Sequence, residues 1–345
     1  MSLRDRLAEA NRSMYPGAFA MSMATGIISI GFARNGKPDI GAAFQFINSA
    51  ILLCLSAVFL IRLVRSPRAI GSDLTDHWRG AGFFTIPAAF GVYGVQNLEF
   101  HGPIAISVGC WWVVLFSACF FTVAFFGMMV IGKDQVDIHY SINGAWLTSV
   151  VATEGLAILT VALDRVHGIP HGLGFIGGLC FASAGAMLYL VLIGSIFFRL
   201  ICHPVRAADF SPPYWVNMGA TMITSLAFSR LALEADAEMI GPIKMIAILY
   251  WAFGVWWIPI LLALGIWRHW IEKYPLSYDP RLWSLVFPLG MFSVSTHSLS
   301  LTWQADGLAN VSRIAIWVAA FTWAFLMVGY VRFAFRNIGA DRSHI

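Results

Sequence analysis

Apolar residues run through this chain in long unbroken blocks, and polar residues are confined to the short gaps between them. Ten blocks can be drawn, over 15–33, 41–63, 80–99, 103–131, 142–164, 172–201, 212–232, 240–267, 282–302 and 310–335. A helix needs about 20 apolar residues to cross the hydrocarbon core of a bilayer, so the pattern predicts an all-α integral membrane protein with ten transmembrane helices. Barrel strands would instead read as about ten residues of alternating polarity. The chain divides into a short N-terminal segment, 1–14, a single membrane domain, 15–335, and a C-terminal tail, 336–345.

The blocks alternate in character. Odd-numbered ones carry small, hydroxylated and helix-bending residues, such as Ser22, Thr25 and Gly26 in the first and Thr85, Pro87 and Gly91 in the third. The seventh has Pro212, Pro213, Asn217, Thr221 and Thr224, and the ninth Ser284, Pro288, Gly290 and Ser295. Even-numbered blocks are bulkier and greasier. Aromatic or turn-like openings near Tyr15, Phe83, Gly144, Tyr214 and Trp283 recur every 61 to 70 residues, the length of one helical hairpin. Five quasi-repeated hairpins, each giving one helix to an inner ring around a pore and one to an outer ring, is the simplest architecture that fits both patterns.

Composition sharpens the class. Of 345 residues, 59% are hydrophobic and 12% charged, about half the charged share of an ordinary soluble domain. The net charge of +4 is small and scattered over the loops, which argues against nucleic acid as a partner. Counting Lys and Arg on the two sides defined by ten crossings gives 16 against 6, so both termini are expected in the cytoplasm, with the protein in the cell's inner membrane. The five cysteines lie in or beside apolar blocks without metal-ligand spacing and read as buried small residues. His167 and His171 are four apart, but Gly168 and Pro170 between them speak against a helical metal site. The nine histidines are dispersed, which gives no cofactor site and no footing for an intramembrane enzyme or electron carrier.

Three motifs in order carry a resemblance. They are Pro16-Gly17-Ala18-Phe19 with Met23-Ala24-Thr25-Gly26, then Pro212 through Ala220, then Trp283 through Phe287-Pro288-Leu289-Gly290-Met291. Together they resemble the tellurite-resistance and C4-dicarboxylate transporter family, which also includes malic acid permeases, sulfite efflux pumps and guard-cell slow anion channels. The resemblance implies ten helices, five inner and five outer, and a homotrimer in which every protomer has its own pore. It also implies that Phe287, just before Pro288, plugs that pore. Two positions depart from the family pattern: the prolines of the seventh block stand at its start, and Glu154 puts an acid in the fifth.

The residues themselves leave several readings open. Phe287 is one of 27 phenylalanines, yet Pro288 removes a backbone donor and bends the helix, which can aim the preceding ring at an axis. Ser22, Thr25, Pro87, Asn217, Thr221 and Ser295 are candidates for a weakly polar anion path; equally, small and hydroxylated residues let helices pack closely. Glu154, near a helix centre, can carry a proton for a coupled transporter or be a hydrogen-bonded structural acid, and His297 can join it as a relay. Arg230 either draws anions into an outer mouth or snorkels to the headgroups. The leading expectation is gated movement of small inorganic or organic anions, with membrane lipid as the surroundings. The runner-up is a proton-coupled carrier of malate-like C4-dicarboxylates or sulfite, possessing at most an indirect link to tellurite resistance.

Overall fold

The computed structural model describes residues 9, 11–131, 141–170 and 172–339, with side chains as far as residue 334. His171, most of segment 1–14 and the end of the tail therefore lie outside the described residues. Every regular element among the described residues is helical. In chain order the α-helices are α1 (Ala20–Arg34), α2 (Pro38–Arg65), α3 (Pro67–Thr75), α4 (Thr85–Glu99), α5 (Ile104–Ile131), α6 (Thr148–Arg165), α7 (Leu173–Cys202), α8 (Val216–Ala232), α9 (Ala237–Ile266), α10 (Trp283–Trp303) and α11 (Asp306–Gly339).

Burial divides the long helices into two kinds. Helices α1, α4, α6, α8 and α10 are buried on nearly all sides, whereas α2, α5, α7, α9 and α11 keep broad apolar faces exposed, with residues such as Leu53, Val123, Val191, Leu249 and Phe321 pointing outward. In water such faces would be untenable; against lipid tails they cost nothing. Each buried helix packs on the long exposed helix that follows it, α1 on α2 and so on to α10 on α11. The buried helices also pack on one another, α1 on α4, α4 on α6, α6 on α8, α8 on α10 and α10 back on α1, which closes a ring.

Seven helical stretches are long and apolar enough to cross a membrane. Those containing α4, α8 and α10 are not among them. Each of these three is walled by other helices, so its surface meets Ser, Thr, Gly and Pro rather than lipid and has no need of uniform hydropathy.

Short 3-10 turns over Pro16–Phe19, Gly80–Phe84, Gly144–Leu147, Pro212–Trp215 and Pro280–Leu282 precede the five buried helices, and they too touch in a closed ring. Glycine permits two of these contacts. A Cβ at Gly82 would lie 2.7 Å from the backbone nitrogen of Gly17, and one at Gly144 would lie 2.5 Å from the carbonyl oxygen of Pro213. Of the cysteines, Cys110 is buried, but Cys54, Cys119, Cys180 and Cys202 stand on exposed faces of the outer helices, contrary to the reading of all five as buried. Sulfur is apolar enough to face lipid.

Candidate functional site

All five buried helices run the same way, because their first residues surround one cavity and their last residues another. Between the two lies the axis of the ring. On it lies a void of about 20 Å³, bordered by Ile27, Gly91, Gly155, Ile223 and Met291, one residue from each buried helix. That is about the smallest space that holds a single water, and its walls are apolar. An ion cannot cross such a passage, since nothing there replaces its hydration shell. The axis is closed in this conformation.

At the C-terminal ends of the buried helices the axis opens into a vestibule of about 560 Å³. Arg34, Val95 and Ile158 border both spaces, so the two are continuous. The partial negative charge at five converging helix C-termini would repel anions, but Arg34, Arg165 and Arg230 sit in the last turns of α1, α6 and α8. Arg34 donates to Glu99 from Nε at 3.1 Å and from Nη2 at 2.8 Å, and Arg165 pairs with Glu234 at 3.0 Å. Among the described residues Arg230 has no hydrogen bond or ion pair. His297 also borders this vestibule, and its Nδ1 is buried without a partner.

At the opposite end the 3-10 turns frame a cavity of about 240 Å³ bordered by Tyr15, Arg79, Asn143, Ser211, Asp279 and Arg281. Helix N-termini point toward it, which favours negative charge. Arg281 grips Asp279 through Nε at 3.0 Å and Nη2 at 2.6 Å. Burial pushes the Asp279 carboxyl up, but the hydrogen bonds from Arg281 outweigh it and hold the group below its usual value.

Phe287 lies in α10 one turn before Met291, on the same helix face, and is 1% exposed. It does not itself border the central void. Pro288, inside α10, abuts Gly219 of α8, where a Cβ would come within 2.9 Å of its Cγ.

None of the six polar-path candidates borders the central void. Ser22 donates to Asn48 of α2 at 2.7 Å, and Asn48 in turn donates to Gln96 of α4 at 2.7 Å. Thr25 receives the Trp323 indole N–H from α11 at 2.9 Å. Asn217 accepts from Tyr189 of α7 at 2.8 Å, and Thr221 faces Gly254 of α9. These four side chains join inner helices to outer ones. Pro87 and Ser295 are buried in α4 and α10, and the Ser295 hydroxyl has no partner among the described residues. Glu154 is fully buried, accepts from Thr224 of α8 at 2.9 Å and lies against Gly185 of the outer helix α7. It does not meet His297. The vestibule residues Arg34 and Arg165 were passed over in the sequence because a basic residue at a helix end looks the same whether it faces headgroups or an axis; Arg230 turns out to face the axis.

Comparison with known proteins adds an independent line. The profile of the voltage-dependent anion channel family matches residues 13–331. An uncharacterized membrane protein of Mycobacterium tuberculosis is 39% identical over 158 residues, 44% of this chain and 80% of that protein. An uncharacterized transporter of Methanocaldococcus jannaschii is 24% identical over 328 residues, covering 90% of this chain and 92% of its own. A sulfite efflux pump of Arthroderma otae is 22% identical over 346 residues, covering 90% and 89%.

Proposed function

Because this chain belongs to the voltage-dependent anion channel family, as its three motifs implied, we propose that it moves small anions along the axis of its five-helix ring. The observation that carries the reading is the axial line itself: an arginine-bearing vestibule, a void walled by all five buried helices, and a second cavity at their N-termini. In this account the protein crosses the cell's inner membrane ten times as five hairpins, with both termini in the cytoplasm. The seven apolar spans supply part of the crossing, and α4, α8 and α10, shielded from lipid, supply the rest.

Phe287 is the plug. It closes the path between the void and the N-terminal cavity, and a shift of α10 about Pro288 moves the ring aside. Arg230, without a carboxylate of its own, draws anions into the vestibule and releases them because it holds them singly. The protein works as a trimer of separate pores.

Sulfite is the anion to examine first, since relatives named as sulfite efflux pumps cover nearly the whole chain. A proton-coupled carrier of sulfite or a C4-dicarboxylate is the second reading. What favours it is His297, a titratable side chain that borders the vestibule and whose Nδ1 has no hydrogen-bond partner among the described residues. Glu154 lends it less, because its carboxyl faces α7 rather than the axis. Any effect on tellurite resistance follows indirectly from anion flux.

Flux into proteoliposomes tests this, comparing chloride, nitrate, sulfite and malate with and without a proton gradient. Electrical, non-saturating anion flux, unchanged by Glu154→Gln, is the expected result. Saturable flux that needs the gradient and is lost in His297→Gln would move the protein to the carrier class, and sodium flux equal to anion flux would end the anion reading.

A further inference from the structure

A second basic cavity lies off the axis, beside the 3-10 ring. It has a volume of about 390 Å³ and, among the described residues, is bordered by Arg12, Arg62, Arg68 and Arg79 against Glu9 and Asp73. Arg62 is 1% exposed, an unusual state for a guanidinium and one that demands partners. Its Nε and Nη2 donate to the Arg12 carbonyl at 3.1 and 2.9 Å, and Nη2 also reaches Asp73 at 2.6 Å. Its Nη1 is buried and has no partner among the described residues. Asp73 is already shared, for Arg79 binds it through Nε at 2.6 Å and Nη2 at 3.2 Å. One carboxylate thus serves two guanidiniums, while Arg12 and Arg68 add exposed positive charge on either side. Among the described residues, positive charge outweighs negative at this cavity.

The depth of the cavity is set by its neighbours on α2. Leu63 and Val64, adjoining Arg62, are 47% and 81% exposed, which is the signature of a lipid-facing surface. Arg65 follows at the helix end, and α3 then buries Ile70 and Leu74 while leaving Arg68 and Ser72 outward. A helix end carrying arginines just past an apolar face sits at the level of phospholipid headgroups.

We propose that this cavity binds a phosphate group, with Arg62 Nη1 as its buried donor and Arg12 and Arg68 as its outer clamps. Planar guanidiniums recognise phosphate by paired hydrogen bonds to two of its oxygens, a fork geometry that a single-atom anion such as chloride does not match. The group belongs either to a phospholipid headgroup or to a free phosphate ion. Its occupancy bears on the axis through Arg79, which borders both this cavity and the N-terminal cavity of the ring, and whose Nη2 also holds the Met14 carbonyl at 3.1 Å. A bound phosphate fixes the segment leading into the first 3-10 turn against the second.

The test is thermal unfolding of the full chain in a nonionic detergent, titrated separately with inorganic phosphate, with dioctanoyl phosphatidic acid, and with sodium chloride at matched ionic strength. Wild type and the Arg12→Gln/Arg68→Gln variant are compared; both replaced side chains are exposed, so the variant folds, and Arg62→Lys serves as a second probe of the buried donor. The expected result is a saturable rise in midpoint with one of the two phosphate compounds and not with chloride, with apparent affinity about tenfold weaker in the variant. A rise with phosphatidic acid alone assigns the site to a headgroup, and a rise with inorganic phosphate assigns it to the free ion. No rise with either, a rise that chloride reproduces, or equal affinity in the variant overturns the proposal. Transport is not read in this experiment, so its failure leaves the axial account standing.

Discussion

Arg230 stands in the vestibule wall without an acid of its own, whereas Arg34 and Arg165 are each held by a glutamate. On the proposed path, its charge is the one that ions entering the vestibule meet. Replacing it in Arg230→Gln should lower anion flux about tenfold at low ionic strength, and the deficit should shrink as salt is raised toward about 0.5 M, because the attraction is screened over a few ångströms there. An equal deficit at all salt concentrations would mean that the side chain acts by shape. How much of this could be seen beforehand differs by residue. Phe287 was singled out through Pro288 and the motif around it, and its burial in α10 is what the structure adds. The roles of Ser22, Thr25, Asn217 and Thr221 were not visible, because a buried helix is walled on every side and its pattern of polar positions does not say which wall is the axis. Their hydroxyl and amide groups bond outer helices or their own backbone, and the central void is left to Ile, Val, Leu, Met and Gly, with Arg34 at its edge.

Two kinds of glycine occur in the buried elements, and they predict opposite outcomes. Gly144 brings its 3-10 turn against the backbone of Pro213, so Gly144→Ala must push two turns apart and should cost about 1–3 kcal/mol of stability. Gly155 borders the central void, and a Cβ there meets no heavy atom within 4 Å. Gly155→Ala should hold or raise the unfolding temperature, since alanine is better than glycine in a helix by about 1 kcal/mol, and yet reduce flux by narrowing the passage. Comparing midpoints and flux for the two variants separates structure from path; loss of stability in both would place Gly155 in ordinary packing. The recurring aromatic or turn-like openings, 61 to 70 residues apart, fall in or beside the five 3-10 turns, although the sequence pattern did not show that these openings are 3-10. The nine-residue α3 was not legible, because its charged and apolar positions are too few to show a period.

Across the whole molecule, the alternation of small, polar blocks with greasy ones corresponds to helices that are enclosed and helices that face outward. Long apolar runs identified the membrane class without difficulty, because lipid contact requires them. They identified the enclosed helices less well, since α4, α8 and α10 are freed from that requirement by their neighbours. Which anion is preferred depends on small differences in shape and charge that run lengths do not encode. The central claim is that anions follow the axis and are stopped at Phe287. Chloride and sulfite flux through proteoliposomes should be measured for wild type, Phe287→Ala, and Phe287→Ala combined with Gly155→Leu. The account predicts a large leak in the single variant, with a stability loss below the ~3–5 kcal/mol of a Phe removed from a packed core, and closure of that leak by the leucine on the facing wall. A single variant with wild-type flux, or a leak that the leucine leaves untouched, would contradict it.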